Sequence, residues 1–377
     1  MRKDHHIGII GCGNISASYF SLAPLFKGLK IVACADLNME AARARGAEFK
    51  VEVLTIDGLL ASKDIDVVVN LTIPDAHYKV TKAILQAGKH AYSEKPLVLT
   101  LRQGEDLRAM AKAGGLRVGC APDTFLGGAH QLARSIIDSG KIGRITSGTA
   151  HVLSPGMEMW HPNPDFFFLP GGGPILDLGP YYIANLINLI GPIDRVGALA
   201  NMASPTRTIT SKPRAGEVIP VRTPTNVHAL LQFENGATIT LSASWDVWAH
   251  RHANMELYGT EGTIIVPDPN FFGGKVEVAG KDGEIHDVQM WDHPLAVNNQ
   301  DHPHGAVANY RTAGLADMVA ALAEGRDHRC SLERTLHGVD AMTSILKSAE
   351  EGRFIELSTT CTQPAAFGID EAKALLR

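Results

Sequence analysis

Two side chains that can exchange a proton or a hydrogen bond with a small molecule lie in the stretch "GGGPILDLGPYYI", residues 171–183. Asp177 and Tyr181 are four positions apart, so a helix that begins near Pro180 places both on one face. The glycines before them favour a loop, because glycine is unfavourable inside a helix or a strand. A structural interpretation is also open, in which Asp177 caps the helix and Tyr181 is a buried aromatic residue.

A lysine ends a predicted strand in "SEKPL", residues 93–97. In a doubly wound sheet, ligands bind at the carboxyl ends of the strands, so Lys95 would present a cation to a bound molecule. Such a cation can polarise a carbonyl group as it forms during oxidation of a hydroxyl. An ordinary surface lysine is the alternative interpretation.

A glycine motif, "GCGNIS" at residues 11–16, lies between the first predicted strand and the first predicted helix. This is the G-x-G-x-x-G position of a dinucleotide-binding fold, with Ser16 as the third small residue. Gly11 permits the tight turn, and Gly13 lets a pyrophosphate approach the backbone at the start of the helix. The residues that we expect to contact the cofactor here are Gly11, Gly13, Asn14, Ile15 and Asp36.

Asp36 sets the expected cofactor. It ends the second predicted strand, where an acidic side chain accepts hydrogen bonds from the adenosine ribose and repels a 2′-phosphate. NAD is therefore expected rather than NADP. At the ends of the next strands, we expect Thr72, Pro74, His77 and Glu94 to border the cofactor, together with Lys95. For His77, a histidine that only begins a helix is an equally open interpretation.

These residues are positioned by a strand–helix alternation that runs through the first 123 residues. Alternation of this kind predicts a parallel sheet with helices on both faces. After Pro122 the pattern changes to longer strands joined by tight turns, including a hairpin in "NVHALLQFENGATITLSASW" with a type I′ turn at Asn235-Gly236. The fold class is therefore α/β, with a Rossmann domain followed by an α+β domain that has a large, mostly antiparallel sheet.

Composition restricts the class of partner. The chain of 377 residues has 45% hydrophobic and 20% charged residues, which is typical of a globular protein, and its length predicts two domains. With a net charge of −5 and scattered lysines and arginines, nucleic acid or an anionic membrane surface is not expected as a partner. Five cysteines without CxxC spacing argue against a disulfide framework, so we expect a cytoplasmic protein.

Aromatic and polar residues of two segments are candidates for substrate contacts. Trp160, His161 and Asp165 precede the glycine stretch, whereas Trp245 and Arg251 follow the end of a long predicted strand that could face the same cleft. Ordinary packing or surface placement is the alternative interpretation for each of them. The histidines of "WDHPLAVNNQDHPHG" match no familiar metal-site spacing, so we favour a solvated loop and expect no metal.

The segments "IGIIGCGNIS", "EKP" and "GGGPILDLGPYY", in this order, resemble the glucose–fructose oxidoreductase/inositol dehydrogenase (Gfo/Idh/MocA) family. The resemblance covers nearly the whole chain. It implies a Rossmann domain over residues 1–123 and a substrate-binding domain over 124–377, whose sheet often forms the interface of a homodimer or homotetramer. It also implies a nicotinamide cofactor and sugar or polyol substrates.

The resemblance also implies roles for individual residues. The family lysine falls on Lys95, with a cis peptide bond before Pro96, and the family aspartate falls on Asp177. Many members have histidine where this chain has Tyr181, which is similar to the tyrosine-containing branch and favours tyrosine as the proton acceptor.

We therefore expect an NAD-dependent dehydrogenase of sugars or polyols in which Lys95, Tyr181 and Asp177 are catalytic. The alternative is an NAD-dependent glycosidase, which oxidises its substrate transiently, eliminates the aglycone, adds water and reduces the product again. A non-catalytic sensor of NAD and a metabolite ranks lower, because Lys95 is present.

Overall fold

The computed structural model describes residues 4–302 and 305–377. In its first part, strands and helices alternate as expected, and Pro24 ends the first helix in a short 3₁₀ turn. The strands are β1 (His5–Ile10), β2 (Leu29–Ala35), β3 (Glu52–Val53), β4 (Val67–Asn70), β5 (His90–Ser93) and β6 (Val118–Cys120). The helices are α1 (Ser16–Leu22), α2 (Met39–Phe49), α3 (Ile56–Ala61), α4 (Pro74–Gln86) and α5 (Leu101–Gly114).

These six strands form one parallel sheet in the order β3-β2-β1-β4-β5-β6. This order reverses direction between β1 and β4, which is the arrangement of a Rossmann fold. The sequence of β4, "VVVN", is buried at every position, as expected of a central strand covered on both faces. The carboxyl ends of β1, β2, β4 and β5 therefore meet at one edge, where all the predicted cofactor residues lie.

The second part of the chain begins with α6 (Gly128–Asp138). Its remaining helices are α7 (Pro174–Asp177), α8 (Gly179–Ile190), α9 (Ala313–Glu324), α10 (Leu332–Glu351) and α11 (Ile369–Leu375). Its strands are β7 (Ile145–Leu153), β8 (Ile193–Asn201), β9 (Thr206–Thr208), β10 (Val218–Pro220), β11 (Asn226–Phe233), β12 (Thr238–Ser244), β13 (Met255–Gly259), β14 (Thr263–Val266), β15 (Glu277–Ala279), β16 (Ile285–Asp287) and β17 (Ile355–Glu356).

Nine of these strands form a second sheet in the order β16-β15-β14-β13-β7-β12-β11-β8-β17. Within this sheet, β7 and β12 pair in parallel and the other described neighbours pair antiparallel, so the predicted large and mostly antiparallel sheet is confirmed. Helices α8 and α10 cover one face, and β9 pairs with β10 in a separate two-stranded ribbon. The fold class predicted from the sequence is therefore confirmed for both parts of the chain.

One turn differs from its prediction. A type I′ turn needs positive φ at both central residues, but at the tip between β11 and β12 only Gly236 has it, at +88°. The turn closes through Gly236 N, which donates to Phe233 O over 2.8 Å, and Phe233 N, which donates to Ala237 O. The predicted type I′ turn at Asn235-Gly236 is therefore wrong, although the hairpin itself forms.

The last segments of the chain return to the Rossmann sheet. Helix α9 packs on β6, and Leu376 after α11 forms a β-bridge with Phe26. Apolar residues of both segments share one core with β1, β2 and β4. The C-terminal segments thus contribute to the hydrophobic core of the Rossmann sheet. The domain boundary at residue 123 stays a prediction, and residues 1–3 lie outside the described part.

Candidate active site

The glycine loop after β1 has the shape that a dinucleotide needs. Gly11 has φ +104°, and a Cβ there would lie 2.6 Å from the Leu71 backbone, so only glycine fits. A Cβ on Gly13 would meet no described protein atom within 4 Å, and Gly13 and Asn14 are exposed. Ile15 directly precedes α1, so the helix begins at this loop. The loop is thus tight against the sheet at Gly11 and open to a ligand at Gly13.

Asp36 ties this loop to the end of β2. One carboxylate oxygen accepts a hydrogen bond from Cys12 N over 2.7 Å, and the other accepts from Asn38 N over 2.7 Å. The side chain stays partly exposed, so each oxygen has a further lone pair for a ribose hydroxyl. These residues fit NAD, because an open phosphate cradle and a ribose acceptor lie at one sheet edge.

The predicted contacts beyond β4 divide into exposed and buried residues. Thr72 is held by Asn70, whose Oδ1 accepts from its hydroxyl over 2.7 Å, and Pro74 begins α4 with its ring partly exposed. His77 is only 1% exposed, and its two ring nitrogens face Pro96 O at 2.6 Å and Thr72 O at 2.8 Å. The expectation that His77 borders the cofactor is therefore corrected. The buried His77 ring connects the loop that contains Thr72 with the loop that contains Pro96.

The segment after β5 places Lys95 at the sheet edge. Glu94 accepts hydrogen bonds from Tyr19 Oη over 2.9 Å and from the Lys95 backbone N–H, which fixes the start of the segment. The peptide bond between Lys95 and Pro96 is cis, as the family resemblance implied. The side chain of Lys95 reaches Asp177 in α7 and Tyr181 in α8.

Lys95 meets Asp177 and Tyr181 there. Its Nζ lies 2.8 Å from Asp177 Oδ1, 2.6 Å from Asp177 O and 5.2 Å from the centre of the Tyr181 ring. The Lys95 and Asp177 side chains are 15% and 19% exposed. Burial alone would lower the pKa of Lys95, but Asp177 and Tyr181 outweigh it and raise that pKa above its usual value. The three residues that the sequence singled out are thus brought together.

The helix that carries them differs from its prediction. Asp177 ends α7 and Tyr181 lies in α8, with the chain interrupted at Leu178. The expectation of one continuous helix face is therefore wrong, although both side chains reach Lys95. No side chain of the described residues caps the start of α8, so the capping interpretation of Asp177 is not observed.

Arg311 is a site residue that sequence reasoning missed. Its guanidinium group donates to Asn270 Oδ1 over 2.9 Å and to Asn309 Oδ1 over 3.2 Å, and it interacts with the Tyr181 hydroxyl. Burial would lower the pKa of Arg311, whereas Tyr181 and then Asp123 raise it. Tyr181 thus has a cation on two sides. No local motif marks Arg311 in the sequence, because it lies in a loop before α9.

A second missed residue supports this loop from below. Asp123 is 3% exposed, and one carboxylate oxygen accepts hydrogen bonds from Thr312 N over 3.0 Å and Gly314 N over 2.9 Å. Burial raises the pKa of Asp123 to about 6, although the two backbone hydrogen bonds oppose the shift. Asp123 therefore fixes the loop that carries Arg311.

Two substrate-side candidates lie close to the cluster. His161 is half-buried, and burial lowers its pKa while the Asp177 carboxylate raises it, so the two side chains are within electrostatic reach. Trp160 is 64% exposed, and its ring meets that of His161 at 5.4 Å. Asp165, by contrast, is in an ion pair with Arg214.

Trp245 and Arg251 do not have the expected environment. Trp245 is fully buried and packs edge-on against Phe167 and Phe168, with ring centres 5.9 and 5.5 Å away. The prediction that Trp245 contacts substrate is therefore wrong, because the ring is part of the core. Arg251 is exposed in the segment after β12, and none of the described contacts joins it to Lys95, Asp177 or Tyr181.

Over the described ranges, no three histidine, cysteine, aspartate or glutamate side chains are gathered so that they could hold a metal ion. His293 is 1% exposed and faces Phe367 O at 3.1 Å, so the prediction of a solvated loop is wrong at this residue. His304 lies outside the described residues. Among the helices of residues 4–302 and 305–377, none has the length and apolar character required to cross a bilayer.

Comparison with known proteins identifies the family. The profile of the GFO/IDH/MocA oxidoreductase family, NAD-binding Rossmann fold, matches residues 5–121. The profile of the GFO/IDH/MocA C-terminal domain matches residues 130–265. Both profiles belong to one family, and they match the two parts of the chain in the expected order.

Individual relatives have sugar substrates in their names. dTDP-3,4-didehydro-2,6-dideoxy-alpha-D-glucose 3-reductase of Saccharopolyspora spinosa is 29% identical over 276 residues, 71% of this chain and 75% of the relative. Levoglucosan dehydrogenase of Pseudarthrobacter phenanthrenivorans is 27% identical over 290 residues, 69% and 73% of the two chains. A structure of levoglucosan dehydrogenase with NADH and L-sorbose shares the fold, with a TM-score of 0.79 at 22% identity over 95% of this chain and 100% of that chain. The chain belongs to the Gfo/Idh/MocA family of NAD-binding oxidoreductases.

Proposed function

We propose that this protein oxidises a hydroxyl group of a sugar, a polyol or a related compound with NAD, and that Lys95, Tyr181 and Asp177 are its catalytic residues. The observation that carries the proposal is the double contact of Lys95 with the side-chain and backbone oxygens of Asp177, beside the Tyr181 ring. The relatives named for sugars support a carbohydrate substrate.

The Rossmann edge binds the cofactor, and nicotinamide supplies the hydride acceptor of this chemistry. Asp36 holds the adenosine ribose and favours NAD over NADP by its charge. The other residues that we assign to the cofactor are Gly11, Gly13, Asn14, Ile15, Thr72, Pro74, Glu94 and Lys95. His77 contributes indirectly, because it fixes the positions of Thr72 and Pro96.

Lys95 acts as a fixed cation and not as a base. Its pKa is raised, so the ammonium group stays protonated at neutral pH. The Asp177 carboxylate holds this ammonium through Oδ1, which leaves Oδ2 for a hydrogen bond from the reacting hydroxyl. Lys95 then stabilises the negative charge that develops on the substrate oxygen, an electrostatic effect that is strong at a partly buried site.

Tyr181 takes the proton of the reacting hydroxyl. The positive charges of Lys95 and Arg311 stabilise the negative charge that its oxygen acquires on losing its own proton. The negative charge of Asp177 repels the negative charge on Tyr181, but the positive charge of Lys95, which is paired with Asp177, offsets part of this repulsion. Since many family members have histidine here, we assign this chain to the tyrosine-containing branch.

A second candidate function is an NAD-dependent glycosidase that oxidises transiently, eliminates an aglycone, adds water and reduces the product. It needs the same Lys95 and Tyr181, and the exposed Trp160 ring beside the site favours a substrate with a leaving group. The two functions differ in stoichiometry, because only the dehydrogenase accumulates NADH.

The test is a panel of free sugars, sugar acids, methyl glycosides and aryl glycosides incubated with the protein and NAD. Absorbance of NADH and release of aglycone are recorded together. One NADH per substrate consumed supports the dehydrogenase. Release of many aglycones per NAD without net NADH supports the glycosidase, and neither signal with any compound contradicts both.

We also propose that the protein is a homodimer or homotetramer whose subunits contact one another through the nine-stranded sheet. On the face that α8 and α10 leave uncovered, Leu199 is 75% exposed and Leu230 is 44% exposed, and exposed apolar residues on one face are typical of an interface between proteins. Light scattering of Leu199→Asp should then give a smaller particle.

The five cysteines form no disulfide, which supports the cytoplasm as the location.

A further inference from the structure

Beside the charged cluster, a chain of aromatic rings leads from the protein core to the surface, and one of its members, His161, is within electrostatic reach of Asp177. We call it the aromatic row and define it as Trp160, His161, Phe166 and Phe167. Ring centres are 5.4 Å apart for Trp160 and His161, 5.5 Å for His161 and Phe166, and 4.0 Å for Phe166 and Phe167. The row ends on the buried core ring of Trp245. It is therefore anchored at one end and accessible at the other.

The outer rings of the row are exposed to an unusual degree. Trp160 is 64% exposed, Phe166 is 48% exposed and Met159 beside them is 43% exposed. Leaving such rings in water forgoes the stabilisation that burial gives, so an exposed aromatic patch marks a binding surface. The row thus offers flat apolar faces to a ligand.

The loop that carries the row is fixed, and it is tied directly to the catalytic helix. Phe167 O accepts from Gly173 N over 2.7 Å, and Gly173 O in turn accepts from Asp177 N over 3.0 Å. On the outer side, Ser211 Oγ donates to His161 O over 2.6 Å, and Arg214 pairs with Asp165. The row is therefore presented at a set position relative to Lys95 and Asp177.

The row also has a polar edge of defined character. Asn163 N donates to His161 Nδ1 over 3.1 Å, so the proton of the neutral ring lies on Nε2, where it can be donated to a hydroxyl. The two guanidinium groups behind the loop, those of Arg207 and Arg214, are each paired with carboxylates. This surface suits an uncharged polyhydroxylated ring better than a phosphate or a sulfate group.

We propose that the aromatic row is a second subsite that stacks an uncharged ring attached to the sugar that is oxidised, so that glycosides and disaccharides are preferred to free monosaccharides. The proposal rests on the proposed oxidation at Lys95 and Tyr181. A second pyranose and an aryl aglycone share the flat apolar face that the row recognises, and either occupies the subsite.

The experiment measures kcat/KM for NADH formation with three substrates that share the oxidised sugar: the methyl glycoside, the 4-nitrophenyl glycoside and a disaccharide. In the wild type, the larger substrates should exceed the methyl glycoside by about tenfold, as expected for one good aromatic contact. Trp160→Ala should bring this ratio close to one, mainly through KM, and Phe166→Ala should lower it in part. The larger loss of kcat/KM in Trp160→Ala, for the 4-nitrophenyl glycoside or for the disaccharide, shows which ring the subsite prefers.

Trp248→Ala is the matched control. Trp248 is 80% exposed, and none of the described ring contacts joins it to the aromatic row, so its replacement should leave the ratio unchanged. An unchanged ratio in Trp160→Ala, or an equal loss in Trp248→Ala, overturns the subsite. A change of particle mass in Trp160→Ala by light scattering also overturns it, because the row is then an interface between copies. If the methyl glycoside is oxidised and larger rings give no advantage, the subsite alone fails; if no compound yields NADH, the proposed function fails.

Discussion

The charged cluster around Lys95 and the aromatic row around Trp160 are carried by connected loops, yet they differ in burial and in partners. Lys95 is 15% exposed and bonds two oxygens of Asp177, and Arg311 is held by two asparagines. Trp160 is 64% exposed, and the ring contact described for it is with His161 of its own row. Charges that must act on developing charge are fixed and desolvated in advance, whereas a recognition surface keeps its apolar area free for the ligand.

The first prediction tests the charged cluster with the largest expected effect. Lys95→Ala should lower kcat on the order of 10³-fold for every substrate, because it removes the charge that stabilises the reacting oxygen. A substitution in the aromatic row should instead change the ratio between substrates. Lys82→Ala is the control, since Lys82 pairs with Asp106 on the surface of the Rossmann domain. A loss confined to KM in Lys95→Ala would contradict the assigned role.

Asp123 predicts a pH dependence of folding. Its pKa is about 6 in the folded protein, above the ordinary value of 3.8, so its contribution to stability is full below pH 4 and is lost as pH rises through 6. Asp123→Asn keeps an acceptor for Thr312 N and Gly314 N without the charge. As the pH rises from 4 to 8, the free energy of unfolding of the wild type should therefore fall by about 3 kcal/mol relative to that of Asp123→Asn.

Urea unfolding at several pH values measures this difference. Asp57→Asn, at an exposed position in the first turn of α3, serves as the control. A difference between Asp123→Asn and the wild type that does not change with pH would show that the carboxyl group is ionised without cost in the folded protein.

Arg311 predicts a smaller effect on rate. Arg311→Met should lower kcat about tenfold, since it removes one of the two cations beside Tyr181. With less positive charge near the proton acceptor, the pH at half-maximal oxidation rate should move upward. Arg311→Lys should restore part of both. A lower rate with an unmoved pH profile would leave Arg311 as a residue that only packs the loop.

Asp36 predicts an effect on cofactor binding and none on the chemical step, because it lies outside the cluster. The wild type should bind NAD at least about tenfold more tightly than NADP, because the carboxylate repels a 2′-phosphate. Asp36→Ala should weaken this preference, while Glu40→Ala on the exposed start of α2 should keep it. Equilibrium dissociation constants measured by fluorescence decide the matter. Equal affinity of the wild type for both cofactors would remove this interpretation of Asp36.

How much the sequence could predict depends on how local each feature is. The glycine loop and Asp36 were predictable because a few neighbouring residues determine the turn, the helix start and the strand end. Lys95 and Asp177 were candidates because of their places at a strand end and after a glycine loop, but only the family resemblance assigned them to one catalytic site. The break between α7 and α8 at Leu178 was not found, because the short spacing between Asp177 and Tyr181 fits a continuous helix equally well.

Other features depend on contacts between distant segments. Arg311 reaches Tyr181 only because Asp123 and two asparagines fix the loop before α9, and none of these partners is near it in a recognisable motif. Trp245 was expected at the site because it ends a strand, but Phe167 and Phe168 bury it completely. Which polar residue is free and which is paired is decided by tertiary packing, and the sequence pattern carries no record of it.

The central claim is that Tyr181 takes the substrate proton beside two fixed cations. Stopped-flow measurement of hydride transfer in Tyr181→Phe, over a range of pH and with the best sugar or glycoside of the panel, tests it most directly. We expect the single-turnover rate to fall about 10²-fold or more while the NAD dissociation constant and the melting temperature stay those of the wild type. Near wild-type rates at every pH would contradict the claim and move the proton to Asp177 or His161.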